Sequence, residues 1–81
     1  MIPETIRKAL EDERRAQDEK WGEQNHNSHY WLTIIGEEYG EACKAANECR
    51  PHALRVELVH TAASAIAAIE CLDRNGHTSD I

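Results

Sequence analysis

The sequence predicts an all-α fold: three helices that form an oligomeric helical bundle. Apolar residues recur at helical spacing along most of the 81 residues, and no stretch alternates between apolar and polar residues as a half-buried strand does. The third helix, expected over 51–74, is apolar almost all the way round, which is typical of a helix buried on every side. Two partner helices cannot bury it, so we expect packing against a second copy to complete the bundle.

Size and charge narrow the class of protein. A chain of this length makes one domain. The net charge of −6 and the lack of a basic stripe predict no nucleic-acid partner and no membrane partner. The longest uncharged run, 58–69, is too short to cross a bilayer, and the charged N-terminus does not resemble a signal peptide. Three cysteines without a CxxC pattern favour reduced thiols and a cytoplasmic location.

The first helix is expected over 1–20, with Pro3 in its opening turn. Its narrow apolar stripe contains Ile6, Ala9, Leu10 and Ala16. The stretch EDERRAQDEK carries charges of both signs at helical spacing, and we interpret it as a solvated face with i,i+4 ion pairs. A loop over 21–28 follows, because Gly22 and a run of Asn, His and Ser residues break the periodicity.

The second and third helices are expected over 29–49 and 51–74. Ser28 is a suitable N-cap for the second helix. Pro51 cannot continue that helix but can open the next one, so a short turn should fold the two into an antiparallel hairpin. The tail over 75–81 begins with Asn-Gly, a typical helix stop, and is expected to fray.

Carboxylates occupy unusual positions on this hairpin. Glu38 falls in the middle of the apolar side of the second helix, and Glu41 lies one turn further along. Glu57 lies within a face of the third helix, with His60 one turn after it. Acids on an apolar face are rarely left unpaired, and a hard divalent cation such as Mg²⁺ would remove the cost of burying them. Ion pairs with Lys or Arg across an oligomer interface, or a different helix phase, are the alternatives.

At these positions the chain resembles a known family. GEEYGE at 36–41, followed by RVELVHTAASAIAAIECLDR at 55–74, is similar to the ExxE and ExxD motifs of the MazG-like all-α nucleoside triphosphate pyrophosphohydrolases. RRAQDEKWGEQNHNSHYW, upstream of them, resembles the N-terminal region of small single-domain members, so the similarity extends from Arg14 to Arg74. The second motif departs from the pattern, because His60 stands where the family has Asp.

The resemblance implies hydrolysis of a nucleoside triphosphate, NTP or dNTP, to the monophosphate and pyrophosphate with Mg²⁺ as cofactor. It also implies that the chain assembles with itself as a homodimeric or homotetrameric helical bundle. By position, Glu38, Glu41, Glu57 and His60 inherit the metal-ligand roles. Glu38 and Glu41, with Glu37 beside them, are the candidate catalytic residues, since a nearby glutamate could orient or deprotonate the attacking water. Because imidazole is a poorer Mg²⁺ ligand than carboxylate, His60 could instead contact phosphate, favour Mn²⁺ or signal reduced activity.

Substrate contacts are predicted from charge and aromaticity. Lys20, Lys44 and Arg55 are candidate phosphate contacts, although exposed basic residues are more often simply solvated. Trp21 or Trp31 could stack on the base, although Trp31 also fits the core. Two further interpretations stay open: a catalytically impaired nucleotide- or metal-binding module with a regulatory role, and a purely structural oligomer.

Overall fold

Three α-helices account for most of the chain. A computed structural model describes residues 1–76, and these residues form three helices and no strand. The helices are α1 (Glu4–Trp21), α2 (Ser28–Asn47) and α3 (Pro51–Asn75). This confirms the all-α class and the three helices that the sequence predicts. None of the helices within 1–76 is both long enough and apolar enough to traverse a membrane.

Helices α2 and α3 form the antiparallel hairpin on which the fold is built. Their facing sides place Trp31 against Ala68 and Cys71, with Ile34 and Ile35 packed beside them. The turn between the helices is tight, because Cys49 adopts a left-handed φ of 55° and the Arg50 amide donates to the carbonyl of Ala45. The left-handed backbone at Cys49 ends α2 two residues before the boundary that the sequence suggests.

Helix α1 lies against α3 and does not contact α2. It contains no buried residue, and its stripe residues Ala9 and Leu10 are half-buried. Its exposed charged surface is connected by ion pairs at i,i+3 and i,i+4 spacing, among them Lys8 with Asp12 at 2.8 Å and Arg15 with Asp12 at 3.1 Å. These pairs match the solvated face predicted for this helix, whereas Glu13 and Arg14 in the same stretch are half-buried. Since α1 and α2 stay apart, an open groove runs between them with α3 as its floor.

Helix ends differ from the sequence expectations by one to three residues, and the largest difference is the start of α1 at Glu4 instead of residue 1. Asn27, not Ser28, is the N-cap of α2: the Asn27 side chain accepts a 2.7 Å hydrogen bond from the Tyr30 amide, and Ser28 is already helical. Gly22, with a φ of 70°, ends α1, and its amide donates to the Asp18 carbonyl. Of the expected tail, Asn75 is still helical, and 77–81 lie outside the described residues.

Candidate functional site

Acidic side chains from α2 and α3 meet a histidine where the hairpin faces the groove. Glu38, Glu57 and His60 each offer one ligand atom, and these atoms all lie within 4.8 Å of one another. The His60 Nδ1 atom lies 3.1 Å from Glu57 Oε1 and 3.8 Å from Glu38 Oε2. All three side chains are half-buried, with about a quarter to a third of their surface exposed. The hairpin thus brings together three of the four predicted metal ligands.

A fourth acid joins them from α1. Glu13 Oε1 lies 3.7 Å from His60 Nε2, and the Glu13 side chain is half-buried. His60 therefore stands between acids of all three helices. We call Glu13, Glu38, Glu57 and His60 the acidic cluster. Sequence analysis missed Glu13 because the charged stretch around it was interpreted as solvated throughout.

The electrostatics of the acidic cluster act most strongly on Glu38. Burial raises the pKa of the Glu38 carboxyl above its ordinary value. The charge of a protonated His60 opposes this effect. The carboxylates of Glu57, Glu13 and Glu41 add to it, because like charges disfavour ionisation of Glu38. Without a cation in the cluster, an ionised Glu38 is therefore electrostatically unfavourable.

The groove between α1 and α2 leads away from the acidic cluster. Its volume is about 1060 Å³, and its lining includes Glu13, Glu38 and His60 at one end and Lys20 and Trp21 at the other. Lys20 follows Glu13 by seven positions on α1, which is about 10 Å along the helix axis. The groove thus has an acidic end and a basic, aromatic end.

The aromatic end is formed by the C-terminus of α1, the 22–27 loop and the start of α2. Lys20 Nζ lies 4.7 Å from the centroid of the Trp21 ring, and the Trp21 side chain is exposed. His26 packs edge-on against both Tyr30 and Trp31, with ring centroids 4.7 and 4.8 Å apart. This end therefore presents an exposed indole and an ammonium group beside a packed cluster of rings.

The loop that forms this end is held by the C-terminus of α3. Arg74 donates 2.9 Å hydrogen bonds to the Gln24 carbonyl and to Asn25 Oδ1, and its Nε lies 3.5 Å from a Glu23 carboxylate oxygen. Asn75 donates to the same Asn25 oxygen at 2.8 Å. Arg74, which the sequence analysis did not single out, thus fixes the loop against α3.

The remaining predicted site residues lie outside this arrangement or at its edge. Glu41 is exposed and does not join the group of ligand atoms within 4.8 Å of one another. Trp31 is only 4 % exposed, so its ring belongs to the core, although it also borders the groove. Glu37, Lys44 and Arg55 are exposed and do not line the groove, so their roles stay predictions that the geometry does not support.

Comparison with known proteins gives no relative: the chain matches no family model, no curated protein and no solved structure.

Proposed function

We propose that this protein is a metal-dependent nucleoside triphosphate pyrophosphohydrolase of the MazG-like type. The observation that carries the proposal is the acidic cluster at one end of a groove whose other end holds Lys20 and Trp21. The two ends of a nucleoside triphosphate match the two ends of the groove. The triphosphate is a polyanion and would bind a cation held by the acids. The aromatic base would lie at the end that holds Trp21. The order of the ExxE and second acidic motifs along the chain agrees with this assignment.

The donor set of the acidic cluster suits a hard divalent cation. Glu38 and Glu57 supply carboxylate oxygens, which Mg²⁺ and Mn²⁺ prefer, and one or two carboxylates plus waters are typical of Mg²⁺ sites. The ligand atoms lie within 4.8 Å of one another, so small side-chain rotations suffice to bring them to one ion. The imidazole of His60 fits Mn²⁺ better than Mg²⁺. A bound cation would neutralise phosphate charge and acidify a water molecule.

In the proposed reaction, water adds to the α-phosphorus and the bond from that phosphorus to the oxygen bridging the α- and β-phosphates breaks. The products are a nucleoside monophosphate and pyrophosphate. Glu41, one helical turn from Glu38 and open to solvent, orients the water and accepts its proton. Lys20 pairs with phosphate oxygens. Trp21 stacks on the base once the Lys20 ammonium group moves off its ring.

Self-association belongs to the same proposal. Among residues 1–76, six apolar residues are buried: Trp31, Ala42, Ala45, Ala63, Ala68 and Cys71. Four of the six are alanines. Such a core is small for an isolated domain, since chains near this length already bury a low share of their surface. A second copy would add the missing buried area.

One assay tests the activity. The full chain is incubated with each NTP and dNTP plus Mg²⁺ or Mn²⁺, and the products are identified. We expect monophosphate and pyrophosphate with the metal and no turnover with excess chelator. Glu57→Gln should lower the rate at least a hundredfold, whereas Glu19→Gln, an exposed acid of α1 outside the groove, should leave it unchanged. No turnover with any nucleotide, or release of orthophosphate instead, would overturn the proposal.

The second candidate is an impaired nucleotide- or metal-binding module. The observation that favours it is His60, whose ring lies within 3.8 Å of three carboxylates. His60 stands where the MazG-like pattern has an aspartate, so the site has one carboxylate fewer than that pattern. This module would bind Mn²⁺ and a nucleotide in the groove without releasing pyrophosphate. Calorimetric binding without turnover in the assay above would identify it.

A further inference from the structure

Glu13 differs from other acids of α1 in the group that it faces. Four of those acids pair with an arginine or lysine of the same helix: Glu4, Glu11, Asp12 and Asp18. Glu13 instead pairs with His60 of α3, at 3.7 Å between Glu13 Oε1 and His60 Nε2. The Glu13 side chain is 27 % exposed, against 48 to 71 % for the other four. Helix α1 thus directs Glu13 at the acidic cluster rather than at solvent.

The residue next to Glu13 holds this turn of α1 in place. Arg14 forms an ion pair with Glu70 of α3 and a second one, at 3.1 Å, with Asp18. Its Nη1 donates a 2.9 Å hydrogen bond to Gln17. The Arg14 side chain is only 16 % exposed, so these contacts are largely shielded from water. They fix the middle of α1 against α3 and hold Glu13 beside His60.

The two ring nitrogens of His60 face different acids. Nδ1 lies 3.1 Å from Glu57 Oε1, which is a hydrogen-bond distance, and Nε2 faces Glu13. An ionised carboxylate can only accept, so the contact with Glu57 places a proton on Nδ1. A cation bound at Glu57 would need the lone pair of that same nitrogen. The proton of a neutral ring must then lie on Nε2, where Glu13 is the acceptor within reach.

We propose that Glu13 is a positioning residue for the cation: it accepts a hydrogen bond from the Nε2–H group of His60 and so directs Nδ1 at the cation site. A histidine that binds a metal commonly donates its other ring N–H to a carboxylate, which orients the ring and makes it a stronger ligand. The 3.7 Å separation exceeds a hydrogen bond by less than about 1 Å, so a small rotation of the Glu13 side chain closes it. This inference rests on the proposed function, because it presupposes the cation.

The consequence of this arrangement is a preference among metals. Imidazole contributes more to the binding of Mn²⁺ than to that of Mg²⁺, which favours oxygen ligands. Glu13 should therefore raise the affinity for Mn²⁺ more than the affinity for Mg²⁺. The charge of Glu13, acting through space alone, would strengthen the binding of both divalent ions to a similar extent. The ratio of the two affinities thus distinguishes positioning of the ring from a simple effect of charge.

The test is calorimetric titration of the full chain with Mn²⁺ and, separately, with Mg²⁺. Glu13→Ala should raise the Kd of Mn²⁺ by roughly tenfold to a hundredfold and that of Mg²⁺ by less than about threefold. Glu13→Gln keeps an acceptor oxygen and should recover part of the loss. Glu19→Ala is the matched control, since Glu19 is an exposed acid of α1 outside the groove, and it should bind both ions as the wild type does.

Electron spin echo spectroscopy of bound Mn²⁺ shows directly whether a ring nitrogen coordinates the ion. We expect nitrogen modulation in the wild type, its loss in His60→Gln and a weaker signal in Glu13→Ala at saturating Mn²⁺. The wild-type spectrum requires no variant to fold, and its lack of nitrogen modulation would overturn the inference.

Two calorimetric outcomes separate this inference from the proposed function. An unchanged Mn²⁺ affinity in Glu13→Ala, or equal losses for Mn²⁺ and Mg²⁺, would overturn the role of Glu13 and leave the proposed function standing. A wild type that binds neither ion would contradict the proposed function and this inference with it.

Discussion

Glu38 belongs both to the packed contact between α2 and α3 and to the acidic cluster. It lies between Ile35 and Ala42 on the side of α2 that packs against α3, yet its carboxylate reaches His60 and the groove. Burial and three neighbouring acids raise its pKa, so the folded chain holds a proton on Glu38 more tightly than the unfolded chain does. The arrangement is unfavourable when the carboxylate ionises and no cation is bound.

Glu38→Gln should therefore change the pH dependence of stability in metal-free protein. A raised pKa means that Glu38 contributes stability at acidic pH, and this contribution is lost as pH rises through the raised value. Glutamine cannot ionise, so the Tm of the variant minus that of the wild type should become more positive from acidic to neutral pH. Thermal unfolding with a chelator measures this difference. Glu19→Gln is the control, and a difference that falls with pH would contradict the assignment.

His60 holds the acidic cluster together in the absence of a cation. Its two ring nitrogens contact acids on three helices: Glu13 on one side, and Glu38 and Glu57 on the other. A carboxylate in its place would add charge to a half-buried group of acids. The protein would then depend more strongly on a bound cation.

His60→Asp should destabilise the metal-free protein by about 1–2 kcal/mol, since it replaces a partner of three acids by a fourth acid. Mg²⁺ should restore this loss and raise the rate of pyrophosphate release above that of the wild type. Thermal unfolding and the product assay, each with and without Mg²⁺, measure the two effects. His52→Asp makes the same charge change at an exposed position of α3 and should show neither. Equal responses of both variants to Mg²⁺ would count against a metal site at His60.

Glu13 shows what the sequence could have disclosed. It lies in the middle of the α1 stripe formed by Ile6, Ala9, Leu10 and Ala16, the same anomaly that singles out Glu38 on α2. Its neighbours in sequence are nearly all charged, and that density conceals the one acid that turns inward. Lys44 and Arg55 are the opposite case, since they were predicted as phosphate contacts from their charge and do not line the groove. Charge alone does not indicate which side of a helix borders a groove that α1 helps to form.

At the scale of elements, the 22–27 loop determines the shape of the aromatic end. Arg74 and Asn75 of α3 hold it in place through hydrogen bonds to Asn25 and to the Gln24 carbonyl. The loop in turn places His26 against Tyr30. Anchoring from α3 thus positions a wall of the groove that is distant from the acids.

Arg74→Gln should weaken this anchoring. We expect KM for the nucleotide to rise about fivefold, as the loss of roughly 1 kcal/mol of hydrogen bonding would give, with metal affinity unchanged. Limited proteolysis should also cleave the 22–27 loop faster. Steady-state kinetics and mass spectrometry of the fragments measure both. Arg50→Gln, which removes an exposed pair with Glu48 in the hairpin turn, is the control. Unaltered KM and cleavage would show that Arg74 does not position the loop.

The sequence predicted all three helices but only some of the residues at which they begin and end. Pro51 opens α3 as expected, because its fixed φ and missing amide suit a first turn. The end of α2 depends on the left-handed backbone of Cys49, and cysteine carries no propensity that would predict it. Asn27 and Ser28 are both good caps, so their order at the start of α2 depends on how the loop enters the helix.

At the scale of the whole molecule, the α2–α3 hairpin combines a charged groove with exposed apolar residues. With α1 it forms the groove and the acidic cluster, and elsewhere it exposes large apolar side chains such as Tyr39, Leu58 and Ile69. The sequence predicted that α3 needs more cover than two helices provide. It could not tell which side of α3 stays open, because that depends on α1 packing against α3 alone.

The central claim is that a divalent cation binds between α2 and α3. Its most direct test is a crystal structure of the protein with Mn²⁺, measured at a wavelength where manganese scatters anomalously. We predict an anomalous peak at coordinating distance from the carboxylates of Glu38 and Glu57, and no such peak in Glu38→Gln crystals treated in the same way. Wild-type crystals in Mn²⁺ that show no peak at the acidic cluster, with His60 still between the acids, would contradict the claim.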